Sequence, residues 1–121
     1  GFSVGKAIKF LEGNSPKVGE RIQVTYTIKA KQNSTLVAMR LPLPSGMSAL
    51  QVESEGDLLY QERDFHEVRL YYNQLPPGIV KIVLTLRPNQ AGTFSYPGAV
   101  VEEMYAAQVY GKEVDGEMIV E

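Results

Sequence analysis

The sequence predicts an all-β fold, an immunoglobulin-like antiparallel β-sandwich of seven or eight strands. Three observations predict it. Several segments alternate apolar and polar residues with period two, and turn-forming residues separate these segments at short intervals. The chain has 121 residues, 44% of them apolar, and no cysteine. A chain of this length can hold one core without disulfides or a structural metal.

The clearest strand runs from Arg21 to Ala30. Apolar and polar residues alternate through it, which is typical of a strand with one buried face. The apolar set comprises Ile22, Val24, Tyr26, Ile28 and Ala30. A helix is rejected here, because a helix would need apolar residues three and four positions apart and β-branched residues lower its propensity.

A second alternating segment covers residues 37–43. Pro42 and Pro44 cannot donate ladder hydrogen bonds, so regular pairing is expected to end there. The residues that follow, Ser45 and Gly46, are typical of a turn. The sequence therefore predicts a strand that stops at a proline-marked turn.

Two further strands are predicted over residues 65–73 and 79–87, each with one apolar and one polar face. The connection Leu75–Gly78 is too short for a helical crossover, so we expect the two strands to lie near each other and antiparallel. In this pattern His66 falls on the apolar face beside Val68. A single histidine in such a place is typical of a core or boundary residue, and no catalytic role is assigned to it.

The remaining segments carry weaker signals. Short strands are indicated around residues 4–10, 50–52, 92–96, 99–104 and 118–120. Residues 51–63 are acidic and suit either a long loop or a short edge strand. No repeat, low-complexity tract or linker divides the sequence, so residues 1–121 are interpreted as a single sandwich domain. Because the sequence opens at Gly1 without an initiator Met, we expect it to be excised from a larger multidomain protein.

Composition argues against several functions. The 12 basic and 14 acidic residues give a formal net charge of -2, which offers no basic face for nucleic acid. With no cysteine and one histidine, the sequence has no thiol nucleophile and no zinc site of the usual type. Glycine-rich phosphate loops and apolar runs near the ~18 residues of a membrane span are absent from the sequence. We predict a protein that is not an enzyme and has no cofactor or metal.

Two features of the sequence leave alternatives open. The acidic residues from Glu53 to Asp64 could form a calcium loop, but their spacing matches one poorly, and a solvated loop that protects an edge strand is the ordinary alternative. Tyr71 and Tyr72 are neighbours in a predicted strand, so one of them must face outward. That tyrosine could stack on a sugar, anchor a partner or cover a neighbouring strand.

Three stretches together resemble one family. The longest covers Val68–Lys112, and LPLPSGM from Leu41 and LYQERDFHEVRLYY from Leu59 accompany it. The residues that match in the longest stretch are Arg87, Gly92, Thr93, Phe94, Pro97, Glu103, Met104, Tyr105, Val109 and Gly111. These stretches resemble the C-terminal macroglobulin-like domain, the tenth in the usual count, of bacterial alpha-2-macroglobulins. The sequence departs from that pattern at residues 106–108, so a different local turn is expected after Tyr105.

The resemblance implies a non-catalytic domain of a large protease-entrapping protein. It implies that Met104 and Tyr105 pack against, and shield, a thioester on a neighbouring domain, since a polarizable Met beside a flat Tyr makes an adaptable apolar lid. The supporting motif is Glu103, Arg87, Gly92, Phe94, Pro97 and Gly111. The implied partners are other domains of the same polypeptide and, indirectly, host or competitor proteases. The implied location is the bacterial periplasm or cell surface, with a lipid anchor in an N-terminal part of the parent.

Two other functions stay open on the sequence. The domain could be an immunoglobulin-like spacer or adhesion module that uses exposed strand edges. It could also be a carbohydrate-binding module that uses Tyr71 or Tyr72 with nearby acidic residues.

Overall fold

The computed structural model describes residues 1–106 and 108–121 and contains eleven strands. They are β1 (Phe2–Phe10), β2 (Ile22–Ala30), β3 (Ser34–Pro42), β4 (Met47–Ser54), β5 (Leu58–Arg63), β6 (Glu67–Leu75), β7 (Gly78–Pro88), β8 (Gly92–Tyr96), β9 (Val100–Glu103), β10 (Ala106–Lys112) and β11 (Gly116–Val120). Sheet A has the order β1-β2-β7-β4, sheet B the order β10-β9-β3-β6-β5, and β11 pairs with β8 in a small third sheet. None of the described segments forms a helix with the length and apolarity that a bilayer crossing requires.

Sheet A is built on the β2–β7 ladder. Nine consecutive antiparallel pairs join the two strands, from Ile22 opposite Leu86 to Ala30 opposite Gly78. The apolar residues of β2 face the core and the polar residues face outward, as the alternation predicts. This unbroken register follows from the sequence, because a slip by one residue would turn the whole apolar set to solvent.

Sheet B is built on the β3–β6 ladder, which has a break near one end. Ladder pairs form on both sides of Leu36 and Asn73, but these two opposed residues do not pair with each other. On each strand two successive residues face away from the core here, between buried Ser34 and Val37 in β3 and between buried Tyr72 and Leu75 in β6. The strands keep their register while the inward and outward alternation changes phase across the break.

One core lies between the sheets and includes side chains from the small third sheet. Its largest fully buried side chains are Tyr26, Tyr72, Tyr96, Ile22, Ile28, Met39, Leu41, Leu70, Leu75, Ile82, Leu84 and Leu86. Burying each aliphatic side chain contributes about 1.5–3 kcal/mol. The Tyr26 and Tyr96 hydroxyls are 2.9 Å apart and join β2 to β8. A hydrogen bond between the Ser54 and Tyr72 hydroxyls joins β4 to β6.

Two glycines allow strands and loops to approach closely near the end of the chain. A Cβ added to Gly111 would lie 2.3 Å from the carbonyl oxygen of Phe2, so β10 can run against β1 only with glycine there. A Cβ added to Gly98 would lie 1.8 Å from the carbonyl oxygen of Glu113. Neither position can hold a side chain without moving the backbone.

The all-β sandwich is confirmed, although the described residues form eleven strands where seven or eight were predicted. The additional strands are short or lie at sheet edges, where pairing with a neighbour, more than apolar alternation, defines the strand. Residues 51–63 contain the end of β4 and then β5, which forms the edge of sheet B. The edge-strand alternative for this segment is therefore correct.

The prediction that His66 lies on the apolar face is wrong. His66 is exposed in the bend before β6, which begins at Glu67. The Asp64 carboxylate accepts hydrogen bonds from the backbone N–H groups of His66 and Glu67, at 2.8 and 3.0 Å. This local turn replaces strand geometry ahead of Val68, so the alternation does not extend back to His66.

The two strands on either side of Leu75–Gly78 do not pair with each other, although they were expected to be antiparallel neighbours. β6 pairs with β3 and β5 in sheet B, whereas β7 pairs with β2 and β4 in sheet A. The short connection crosses from one sheet to the other. Each strand finds its hydrogen-bond partner elsewhere in the chain, as in Greek-key sandwiches.

Candidate functional site: the turn between β9 and β10

Met104 and Tyr105 form the turn between β9 and β10. Their side chains are 47% and 85% exposed, the second among the most exposed large apolar side chains of the chain. Neither residue belongs to the buried core. The two side chains that the family resemblance implies are therefore displayed together on the surface at the end of one hairpin.

The turn is tied to the sheet through Leu36. The backbone N–H of Met104 donates a hydrogen bond of 2.8 Å to the carbonyl oxygen of Leu36. Leu36 has a φ of 52°, the left-handed conformation, and among the described residues it is the only non-glycine with a positive φ. This conformation is unfavourable for a leucine, because its Cβ crowds the following carbonyl.

Met104 borders a shallow groove, here called the Met104 groove, on the outer face of sheet B. Its volume is about 360 Å³, and its lining is Leu36, Leu59, Tyr60, Glu62, Tyr71 and Met104. The rings of Tyr60 and Tyr71 stack with their centroids 5.5 Å apart and an interplanar angle of 19°. Leu59 and Tyr60 are more than half exposed, so the apolar surface continues beyond Met104 itself.

A charged border runs along one side of the Met104 groove. The Glu62 carboxylate accepts a hydrogen bond of 3.3 Å from the Tyr71 hydroxyl and lies 3.6 Å from the Arg69 guanidinium. Arg69 also forms an ion pair of 3.1 Å with Asp64. The backbone N–H groups of His66 and Glu67, together with Arg69, lower the pKa of Asp64 to about 2. A cluster of ion-paired side chains therefore lies along one side of an apolar groove.

The supporting motif residues do not gather around this turn, with one exception. Glu103 is the last residue of β9 and lies next to Met104. Arg87 is exposed in β7, Pro97 follows β8, and Gly111 lies against Phe2. Of these three residues, Gly111 is explained by a close approach within the domain.

Gly92 and Phe94 form a local packing unit at β8. Gly92 has a φ of 144°, and a Cβ added to it would lie 3.2 Å from the Phe94 ring. The half-buried Phe94 packs against the core. Their role in the motif is explained by this contact within the domain.

Of the two adjacent tyrosines, Tyr72 points inward and Tyr71 outward, as the strand geometry requires. Tyr72 is fully buried and cannot contact a sugar, and one face of the Tyr71 ring is covered by Tyr60. The acidic residues of 53–64 do not gather into a metal site, because the described residues contain no cluster of three or more potential ligands.

Sequence reasoning missed Leu36, Leu59 and Tyr60. The run Leu58-Leu59-Tyr60 inside an otherwise acidic segment was a usable signal, since such a run cannot be buried on one strand face. No sequence signal marks the left-handed backbone of Leu36. Glycine and asparagine are the residues typical of that conformation, so a leucine does not predict it.

A family match and a sequence relative agree with each other. Residues 1–108 match the family described as Bacterial Alpha-2-macroglobulin MG10 domain. An alpha-2-macroglobulin homolog from Nostoc sp. is 29% identical over 66% of this chain, which spans only 5% of that protein's length.

Two solved structures share the fold. The native conformation of Escherichia coli alpha-2-macroglobulin superposes with a TM-score of 0.86 and 17% identity, covering 99% of this chain and 9% of that one. Salmonella alpha-2-macroglobulin reacted with methylamine gives a TM-score of 0.82 and 21% identity, covering 98% of this chain and 9% of that one.

Proposed function

This chain belongs to the bacterial alpha-2-macroglobulin MG10 domain family, and from that premise we propose that it acts as a packing domain within a larger protease-trapping protein. It is a non-catalytic macroglobulin domain. Its function is to cover a neighbouring domain of the same polypeptide through Met104 and Tyr105. The single observation that carries this proposal is the joint exposure of these two side chains beside the apolar Met104 groove.

The physical support comes from the cost of exposing such a surface. Met104, Leu59 and Tyr60 line one exposed groove, and Tyr105 is exposed next to Met104 in the turn. Covering apolar area is favourable by about 25 cal/mol per Å². Exposed apolar patches with a polar border are typical of interaction sites. A contact of this modest size can also open again, as a domain that moves during trapping requires.

The finer proposal is that Met104 and Tyr105 shield a thioester, where the parent protein has one. A thioester survives only while water and small amines are kept away from it. The Salmonella relative, whose fold this chain shares, was solved after reaction with methylamine, which is the reagent expected to attack an unshielded thioester. Met104 supplies an adaptable apolar surface and Tyr105 a flat ring with one polar group.

The proposal extends to the setting of the domain. Residues 1–121 form a single sandwich domain within a longer chain, with other domains of that chain as direct partners and host or competitor proteases as indirect ones. The parent is placed in the periplasm or at the cell surface of a bacterium, held by a lipid anchor outside this domain.

Hydrogen exchange tests the packing role without requiring a thioester. The amides of residues 101–106 are compared in this 121-residue chain and in the parent protein. If a neighbouring domain covers the turn, exchange in the parent is slower by about tenfold or more. Replacing both residues, Met104→Ala with Tyr105→Ala, should remove much of that additional protection. A thioester-bearing parent should also lose its thioester faster to methylamine.

The matched control is Phe65→Ala with Ile119→Ala. Both side chains are exposed apolar residues, on the β5–β6 connection and on β11, away from the turn. This control should leave the turn protected in the parent. Equal exchange of residues 101–106 in the chain and the parent would reject the packing role. An unchanged methylamine rate in a thioester-bearing parent would reject shielding alone.

A further inference from the structure

The break in the β3–β6 ladder places two residues outside the normal alternation. Leu36 and Asn73 lie opposite each other, and both turn away from the core. Leu36 adopts its left-handed conformation at this point, with a φ of 52°. A bulky residue in that conformation is uncommon and persists only where the surrounding structure holds it.

Backbone groups at the break bond to the elements on either side, in line with the ladders that β3 forms with β9 and β6 forms with β5. The Leu36 carbonyl oxygen accepts the 2.8 Å hydrogen bond from the Met104 N–H, which lies in the turn between β9 and β10. The Asn73 N–H donates a hydrogen bond of 3.1 Å to the carbonyl oxygen of Asp57, in the connection between β4 and β5. Each half of the break therefore fixes one neighbouring connection.

The side chain of Leu36 has a separate role. It is half-buried and lines the Met104 groove together with Met104 and Tyr71. Glycine would adopt the left-handed conformation at lower cost, but it would leave the groove without this part of its lining. A leucine in this position keeps the apolar surface next to Met104 while its backbone holds the turn.

We propose that Leu36 is the positioning residue of the turn between β9 and β10. Its carbonyl fixes the backbone of Met104, and its side chain supports the Met104 side chain from the groove. The two effects together present Met104 and Tyr105 outward in one arrangement. This inference deepens the proposed packing function and rests on it only for its consequence in the parent protein.

Two substitutions separate the backbone effect from the side-chain effect. Leu36→Gly accepts the left-handed conformation, so the Met104 amide should keep its protection from hydrogen exchange within about twofold, while NMR relaxation shows a more mobile Met104 methyl group. Leu36→Val keeps an apolar side chain but disfavours that conformation, so the Met104 amide should exchange about tenfold faster. Both are measured in this 121-residue chain.

Ile79→Gly is the control, since Ile79 is an exposed apolar strand residue in β7, part of sheet A. It should leave the Met104 amide and methyl group unchanged. If Leu36→Val does not fold, Leu36→Gly still decides the side-chain role. Unchanged Met104 exchange in Leu36→Val, or an unchanged Met104 methyl group in Leu36→Gly, would overturn the corresponding half of the inference.

The same variants in the parent protein separate the two proposals. If Leu36→Gly reduces the additional protection of residues 101–106, as the Met104 and Tyr105 substitutions do, the positioning role carries over to the interface. If only the Met104 and Tyr105 substitutions reduce it, the packing function stands and the positioning role fails there. If none of them matters, the packing function fails, and the Met104 measurements in the 121-residue chain still decide whether Leu36 positions the turn.

Discussion

The two central ladders of this sandwich differ in one respect. β2 and β7 pair through nine consecutive positions, with side chains alternating strictly between core and solvent. β3 and β6 pair in the same antiparallel way but break at Leu36 and Asn73. At the break, the Leu36 carbonyl accepts a hydrogen bond from the turn after β9, and the Asn73 N–H donates one to the connection before β5.

This difference explains how one domain can be stable and still hold an exposed turn in place. The regular ladder contributes buried aliphatic side chains, which dominate the free energy of folding. In the interrupted ladder the alternation changes phase, and the residues at the break are hydrogen-bonded to the turn that carries Met104 and to the connection at Asp57. We expect substitutions in the regular ladder to act on global stability and those at the break to act locally.

The largest effect is expected at the centre of the regular ladder. Leu84→Ala removes a fully buried side chain of β7 and leaves a cavity that the close-packed core cannot refill. The free energy of unfolding should fall by about 2–5 kcal/mol. Urea denaturation measures it, with Val83→Ala, the outward neighbour on the same strand, as the control. Equal losses in the two variants would contradict the assignment of Leu84 to the core.

A second prediction concerns Tyr72, a buried residue next to the break. Burial raises the pKa of Tyr72 to about 12, from an ordinary value of 10.0. Between those two pH values the folded chain keeps the phenolic proton that the unfolded chain has lost. The stabilising effect is therefore complete below pH 10 and is lost as pH rises toward 12.

Tyr72→Phe tests this sign. The variant removes a titrating group and the hydrogen bond to Ser54, so at pH 9 it should be less stable by about 1 kcal/mol. From pH 10 to 12, the variant should lose less stability than the unsubstituted 121-residue chain. The difference should be on the order of 2 kcal/mol. Denaturant unfolding at several pH values measures both. Parallel stability curves would contradict the burial of the Tyr72 hydroxyl in the folded chain.

The regular ladder could be predicted from sequence, and the break could not. Alternation of apolar residues fixes which face of β2 and β7 is buried, because a strand has only two faces. At Leu36 and Asn73 the apolar alternation changes phase in β3 and in β6 at the same place. The sequence of one strand does not show that the other strand changes phase opposite it and so keeps the register. The partners of Leu36 are distant in sequence, since its carbonyl bonds to Met104 and its side chain lines the Met104 groove.

The candidate site was predicted only in part. Met104 and Tyr105 were identified through the resemblance of one stretch to a family, and alternation would have assigned them to a strand end. Leu59 and Tyr60 were missed because β5 lies at a sheet edge, where few contacts constrain the sequence. The misplacement of His66 has a different origin, since a local turn made by Asp64 overrides the strand pattern.

The smallest effect is expected at Asn73, the partner of Leu36 in the break. Its side-chain amide donates a hydrogen bond of 3.2 Å to the Asp57 carboxylate on the exposed surface. Asn73→Ala removes that bond and keeps the backbone hydrogen bond to the Asp57 carbonyl, so stability should fall by less than about 1 kcal/mol. The backbone N–H of residue 73 should nevertheless exchange faster with solvent, because its acceptor, the Asp57 carbonyl, is less firmly held.

Gln74→Ala is the matched control for Asn73→Ala, since Gln74 is the next exposed residue of β6 and pairs regularly with Thr35. It should change neither global stability nor exchange at the break. A loss of several kcal/mol in Asn73→Ala would mean that the break carries global stability as the regular ladder does. Faster hydrogen exchange at the break with an unchanged free energy of unfolding would instead show that the break can open locally. The regular ladder would then keep the domain folded.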